Sequence, residues 1–89
     1  MNSQNLNHRI ELFYSPLCNM CPTAKEIARA VAEEQQVWLE EINVFTDEGS
    51  ERAKKYGIRG VPTIVIDGEK RIVGIPDKEQ LIRLLAGGC

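Results

Sequence analysis

Three residues, Cys18, Cys21 and Pro22, stand where an apolar run gives way to a helical pattern. Residues 8–14 combine polar–apolar alternation with two aromatic side chains, which predicts a strand. From about residue 20 to residue 35, apolar side chains recur every three or four positions, which predicts an amphipathic helix. Proline is tolerated in a helix only within the first turn, where its missing N–H is not needed. Pro22 therefore fixes the start of the helix at the cysteines.

The C-x-x-C spacing at this helix start points to dithiol chemistry. A thiol in the first turn lies near unpaired backbone N–H groups and the positive end of the helix dipole, which favour thiolate over thiol. Two sulfurs at this spacing can also bond to each other. The chain has three cysteines, and this odd count argues against a framework of structural disulfides.

Length and charge narrow the class of protein. We expect the 89 residues to form a single domain over 1–89, with a polar, disordered terminus over 1–7. The net charge of -2 gives no support to nucleic-acid binding. No apolar run approaches the roughly 18 residues of a membrane span, and the polar start does not resemble a signal peptide. We therefore expect a cytoplasmic protein, in which a C-x-x-C is usually catalytic or metal-binding.

The rest of the chain completes an α/β pattern. Residues 37–44, 63–66 and 71–73 read as strands, and the last two of these are joined by an Asp67-Gly68 hairpin turn. Thr46 or Ser50 can cap a short helix over 51–56, and Asp77 can cap the last helix. The expected order is β-α-β-α-β-β-α, a four-stranded mixed sheet flanked by helices. Its first two strands form a parallel pair with a right-handed crossover.

Residues 8–86 carry a family resemblance. A strand, a C-x-x-C opening a helix and a Val61-Pro62-Thr63 segment about 40 residues later resemble the thioredoxin/glutaredoxin-like superfamily. Residues 56–63 and 73–81 are similar to thioredoxins in particular. The leading strand and helix of full-length thioredoxins have no counterpart, so the chain is more similar to the compact, glutaredoxin-sized members with a thioredoxin-like fold.

The resemblance implies an enzyme, a protein-disulfide oxidoreductase, whose only redox group is a Cys18–Cys21 disulfide and which needs no metal or organic cofactor. Cys18 would attack a substrate disulfide and Cys21 would resolve the mixed disulfide. Pro62 would form a cis peptide bond opposite the dithiol and leave the backbone of Val61 free to pair with an extended substrate. Met20 would add an adaptable apolar contact at the rim.

The chain also departs from the thioredoxin pattern. Leu17 stands where thioredoxins usually have a tryptophan, and Leu12 stands where they bury an aspartate. Glu41 aligns with a partly buried lysine of the family. We therefore hypothesise that Glu41 relays the proton from Cys21; the alternative is that Glu40 and Glu41 form a solvated acidic pair.

The resemblance implies protein disulfides as substrates and, as the reductant, a thioredoxin reductase-like flavoprotein or another dithiol donor. We expect a monomer that acts without nucleic acid or membrane. Two alternatives stay open. One is a glutathione-dependent glutaredoxin, although only Gly74 and Asp77 loosely match the glutathione clamp. The other is a C-x-x-C metal-binding or metallochaperone module, for which the further ligands could only be Cys89 and His8; Cys89 otherwise reads as a chance thiol.

Overall fold

The computed structural model describes residues 8–86, which form four strands and three helices. In chain order these are β1 (Arg9–Tyr14), α1 (Cys21–Gln35), β2 (Trp38–Asn43), α2 (Asp47–Lys55), β3 (Thr63–Ile66), β4 (Lys70–Val73) and α3 (Lys78–Leu85). The predicted order of elements is confirmed. The predictions for residues 1–7 and for Cys89 lie outside the described residues.

The strands form one mixed sheet in the order β2-β1-β3-β4. β1 and β2 are parallel, with Leu12 opposite Glu41, and α1 makes the connection between them. β3 runs antiparallel to both β1 and β4. The strand that leads into the C-x-x-C is therefore central, and it is supported on both edges.

Alternating side chains of β1 point to opposite faces of the sheet. One face is covered by α1 and α3 and holds the larger apolar cluster, in which Ile10, Leu12 and Ile64 are fully buried. The other face packs against α2 through a smaller cluster that contains Phe13, Ala53 and Val65. The two faces of β1 thus belong to two separate clusters.

α2 begins four residues earlier than the predicted start at residue 51. Of the two candidate caps, Thr46 is the one used: its hydroxyl oxygen accepts a hydrogen bond from the Gly49 N–H at 2.9 Å. Asp47 and Glu48 then occupy the first turn, where their charges favour the helix dipole. The helix buries only Gly49 and Ala53.

The hairpin turn between β3 and β4 forms at Asp67 and Gly68, which have φ angles of 55° and 73°. Positive φ at both central positions is the geometry that the Asp-Gly pair favours. The Asp67 carboxylate also accepts a hydrogen bond from the Arg9 N–H at 2.8 Å, which ties the turn to the start of β1. Among residues 8–86, no helix has the length and apolar character that crossing a membrane requires.

Candidate active site

Cys18 and Cys21 form a disulfide between the end of β1 and the start of α1. Their Cα atoms are 5.4 Å apart. A tight turn brings them together: the Cys18 N–H donates to the Ser15 carbonyl at 3.2 Å, and the Cys21 N–H donates to the Cys18 carbonyl at 3.4 Å. The helix begins at Cys21 with Pro22 in its first turn, as the sequence predicts.

The two cysteines differ in exposure. Cys18 is half-buried, whereas Cys21 is only 2% exposed. A bulky disulfide could therefore meet Cys18 but not Cys21. This asymmetry is what an attacking and a resolving thiol require.

The first turn of α1 has no competing negative charge. Met20 is the N-cap residue and makes no side-chain capping bond, and no acidic side chain lies in the first turn. The positive end of the helix dipole is thus available to stabilise a negative sulfur. Because Pro22 has no N–H, the first turn of α1 has one fewer backbone donor that needs a partner.

The segment that precedes β3 lies beside the disulfide loop. The Val61–Pro62 peptide bond is cis and Pro62 is buried. The Pro62 carbonyl accepts a hydrogen bond from the Gly74 N–H at 2.8 Å, and the Gly60 carbonyl accepts one from the Thr63 hydroxyl at 2.7 Å. Val61 itself lies outside the β3 ladder, and no hydrogen bond within residues 8–86 is found for its backbone.

A cleft of about 160 Å³ lies between this segment and the disulfide loop. Ser15, which bonds to Cys18, and Val61 both line it, together with Phe45 and Ile58. The cleft is mainly apolar and opens to solvent. Its lining reaches the cysteine loop at Ser15, and neither Cys18 nor Cys21 is among its lining residues.

Several large apolar side chains are exposed to solvent, and two of them are chain neighbours of the cysteines. Leu17 is 79% exposed and Met20 is 49% exposed. Val73 and Ile75 are also exposed, on either side of Gly74, which bonds to Pro62. Exposed apolar groups next to the cysteines, such as Leu17 and Met20, are typical of a surface that binds other molecules.

Glu41 lies on the same sheet face as Leu12, which α1 covers, and its carboxylate bonds to a side chain of α1. It accepts hydrogen bonds from Arg29 Nε at 2.5 Å and from the second Arg29 nitrogen at 2.8 Å. These bonds hold the pKa of Glu41 below its usual range, so the group is ionised at neutral pH. Within the described residues its hydrogen bonds go to Arg29, and none goes to Cys21.

The sequence reading missed a buried acid on the opposite face of β1. Glu11 is 2% exposed, and its carboxylate accepts hydrogen bonds from Arg52 and, at 2.7 Å, from the Tyr56 hydroxyl. Arg52 also donates to Glu40 at 2.7 and 3.0 Å. The bonds to Glu40 and Glu11 raise the pKa of Arg52, and the bond to Glu11 raises the pKa of Tyr56. Glu40 is therefore paired with Arg52 and Glu41 with Arg29, so the two acids do not form one solvated pair.

Of the candidate metal ligands outside the disulfide, His8 is the one within the described residues, and it lies away from the cysteines. His8 Nδ1 bonds to Asp67 at 2.8 Å, at the hairpin end of the sheet. Among residues 8–86 there is no group of three or more His, Cys, Asp or Glu side chains that could hold a metal ion.

Comparisons with known proteins agree with this geometry. A family model described as a thioredoxin domain matches residues 8–86. A probable thioredoxin from Archaeoglobus fulgidus is 46% identical over 82 residues, which cover 89% of this chain and 90% of that protein. A thioredoxin from Methanocaldococcus jannaschii is 46% identical over 79 residues, which cover 86% of this chain and 91% of that protein.

The fold is also found among solved structures. A mutant thioredoxin from Halobacterium salinarum superposes with a TM-score of 0.79 at 31% identity, covering 94% of this chain and 76% of that one. The chloroplastic thioredoxin z superposes with a TM-score of 0.74 at 26% identity, covering 90% of this chain and 76% of that one.

Proposed function

The chain belongs to the thioredoxin family and is a thiol–disulfide oxidoreductase with a Cys18–Cys21 pair, and from this premise we propose that it reduces disulfides of other proteins. The observation that carries the proposal is the unequal exposure of the two cysteines: Cys18 is half-buried and Cys21 is 2% exposed. Cys18 is accordingly the attacking thiolate and Cys21 the resolving thiol.

In the first step the reduced enzyme attacks. The Cys18 thiolate forms a bond to one sulfur of the substrate disulfide, and the substrate S–S bond breaks. The second substrate sulfur leaves as a thiolate and takes a proton from solvent. The positive end of α1 stabilises the attacking thiolate, and no acidic residue in its first turn opposes it.

In the second step Cys21, deprotonated, attacks the Cys18 sulfur of the mixed disulfide. The Cys18–Cys21 bond forms, the bond between Cys18 and the substrate breaks, and the substrate sulfur that was bonded to Cys18 leaves as a thiolate and takes a proton from solvent. The substrate has gained two electrons and two protons, and the enzyme is left as the disulfide seen here. A dithiol or flavoprotein reductant must then return two electrons to the pair.

The substrate contacts that we propose involve Val61, Pro62 and Met20. The free backbone of Val61 faces the cleft that Ser15 also lines, so an extended substrate segment can pair with it as an added strand. Buried Pro62 is held by Gly74 and keeps Val61 in place. Met20, half exposed at the helix start, can adapt to different side chains beside the substrate cysteine.

Glu41 as the acceptor of the Cys21 proton stays a prediction. Two facts bear on it: the group lies opposite Leu12 on the face that carries α1, and it is ionised at neutral pH. Its bonds to Arg29 make it a weak base, so in this proposal it would pass the proton on to solvent rather than store it.

The direction of the reaction follows from the proposed compartment. In a reducing cytoplasm the dithiol form would dominate, and a monomer recharged by a thioredoxin reductase-like flavoprotein or another dithiol donor would act as a reductase. The relatives above imply protein substrates and a reductase partner of this kind.

The test is a comparison of wild type with Cys18→Ser. We expect wild type to reduce a disulfide-bonded protein such as insulin with dithiothreitol as reductant, and Cys18→Ser to be inactive. Replacing dithiothreitol first by a flavoprotein reductase with NADPH and then by glutathione identifies the natural class of reductant. Insulin reduction by Cys18→Ser at the wild-type rate would refute the assignment.

A further inference from the structure

We propose that Glu11 is a positioning residue for substrate binding, because its carboxylate ties the strand that leads to Cys18 to the end of the helix that leads to Val61. The inference rests on the proposed function, since it assigns Glu11 a role through the substrate contact of Val61. Glu11 itself touches neither the disulfide nor the substrate cleft.

The first step is the bonding of Glu11. One oxygen accepts from the Tyr56 hydroxyl at 2.7 Å and the other from the Arg52 guanidinium, and Arg9 lies 3.7 Å away. A buried carboxylate is stable only when its oxygens are bonded in this way. Arg52 is in the last turn of α2 and Tyr56 is its C-cap residue. Each carboxylate oxygen of Glu11 therefore bonds to a different residue at the C-terminal end of α2.

The second step is how this end is held. Arg52 also donates to Glu40, and the Arg71 guanidinium donates to the Tyr56 carbonyl. Among residues 8–86, Glu11 is the acceptor that the side chains of Arg52 and Tyr56 share. α2 buries only Gly49 and Ala53, so its apolar contact with the sheet is small. Its N-terminal end lies tightly against the Asn43 carbonyl, to which the Thr46 hydroxyl also donates at 2.8 Å. At the C-terminal end, the bonds from Arg52 and Tyr56 to Glu11 and the packing of the Tyr56 ring edge-on against Phe13 take that role.

The third step is the short path from Tyr56 to the substrate segment. Gly57 turns the chain with a φ of 68°, and the Ile58 N–H donates back to the Ala53 carbonyl at 2.9 Å. Only four residues separate Tyr56 from Val61. A displacement of the end of α2 is therefore passed directly to Val61.

On its other side, Glu11 belongs to β1, whose end is joined to Cys18 through Ser15. The carboxylate thus adds a second connection between these two segments, beside the pairing of Phe13 on β1 with Thr63 on β3. Loss of its bonds should loosen the binding of an extended protein substrate. It should leave the reactivity of Cys18 unchanged, because that depends on the start of α1.

The test compares KM for a protein disulfide with the rate on a small disulfide. Tyr56→Phe removes the hydroxyl and keeps the ring, and Glu11→Gln keeps the shape and removes the charge. The control Asp67→Asn makes the same carboxylate-to-amide change in a group that ties β1 to the hairpin instead of to α2. Insulin is the protein substrate and 5,5′-dithiobis(2-nitrobenzoate) the small one, at a temperature where circular dichroism shows each variant folded.

We expect Tyr56→Phe and Glu11→Gln to raise KM for insulin about three- to tenfold. The upper value is the limit in which the whole free energy of one hydrogen bond is lost from substrate binding. The rate with the small disulfide should stay within twofold of wild type, and Asp67→Asn should change neither quantity. If Glu11→Gln does not fold, Tyr56→Phe alone decides.

The inference is overturned if KM stays within twofold of wild type, or if the rates on both substrates fall together. It is also overturned if Asp67→Asn raises KM as much as Tyr56→Phe does. Failure of the proposed function is a separate result, in which wild type does not reduce insulin at all, and that result removes both.

Discussion

Gly49→Ala tests how closely α2 is seated on β2. An added methyl group would lie 2.7 Å from the carbonyl carbon of Asn43, closer still to its oxygen, and 2.9 Å from Thr46 Oγ1. Ordinary contacts between such atoms begin near 3.5 Å. Because two of these atoms belong to the backbone, no side-chain rotation can make room, and the helix itself must move by about 1 Å.

The sign of the change in the free energy of unfolding distinguishes the effect of packing from that of helix propensity. Within a helix alanine is favoured over glycine by about 1 kcal/mol, so propensity alone predicts a more stable variant. Overpacking of this kind costs about 1–3 kcal/mol, and displacement of the helix also weakens the Thr46 cap, which contributes about 1 kcal/mol. We therefore expect Gly49→Ala to lower the free energy of unfolding by about 2 kcal/mol.

The measurement is thermal unfolding at pH 7 followed by far-ultraviolet circular dichroism. For a domain of this size a loss of 2 kcal/mol corresponds to a decrease in Tm of about 8–16 °C. Gly60→Ala is the matched control, because it adds the same methyl group where no atom lies within 4 Å and where φ is outside the left-handed region. Its Tm should stay within about 3 °C of wild type. A Gly49→Ala variant as stable as wild type, or more stable, would refute the reasoning.

Three further predictions concern the cysteines and Glu41. Cys21→Ser should accumulate a mixed disulfide between Cys18 and insulin, visible by mass spectrometry; an adduct formed instead through Cys21 in Cys18→Ser would reverse the assigned roles. Glu41→Gln should shift the pH–rate profile of insulin reduction, and an unchanged profile would refute proton transfer from Cys21 to Glu41. Because Arg29 lowers the pKa of Glu41, the unfolded state binds more protons in acid, so this pair stabilises the fold fully above about pH 5 and loses its contribution as pH falls through the folded pKa. The loss of stability between pH 7 and pH 3.5, measured by urea unfolding, should be smaller in Glu41→Gln than in wild type.

Local rules account for most of the fold. Pro22 can stand only in a first turn, and α1 begins one residue before it, at Cys21. The Asp67-Gly68 pair suits a two-residue hairpin, and both residues take positive φ there. In each case a residue has so few allowed conformations that its neighbours are fixed as well, so the sequence was sufficient.

The start of α2 could not be predicted from local rules alone. Thr46 and Ser50 are both good N-caps, and nothing nearby in the sequence chooses between them. The choice depends on Gly49, which lets the helix approach the Asn43 carbonyl so closely that no larger residue would fit. The approach of a helix to a strand depends on the tertiary structure and cannot be read from nearby residues. The predicted start, at residue 51, is therefore four residues later than the observed one.

The ion pairs could not be foreseen for the same reason. Glu11 is bonded to residues 41 and 45 positions away, and Glu41 to one 12 positions away on α1. The only local sign was the spacing of Arg52 and Tyr56, which puts two donors on one side of a helix end. The spacing does not say which strand faces them.

The two faces of β1 explain why a buried acid is found at position 11 and not at position 12. A buried carboxylate needs donors for both oxygens. Leu12 lies in the apolar cluster with Ala24 and Ile64, where no side chain can donate, whereas Glu11 meets Arg52 and Tyr56. At the centre of β1, a carboxylate therefore finds its donors on the face that carries α2, at position 11 and not at position 12. The proton that Cys21 loses when it resolves the mixed disulfide must accordingly leave through the edge of β2 or directly to solvent, and Glu41→Gln distinguishes these two routes.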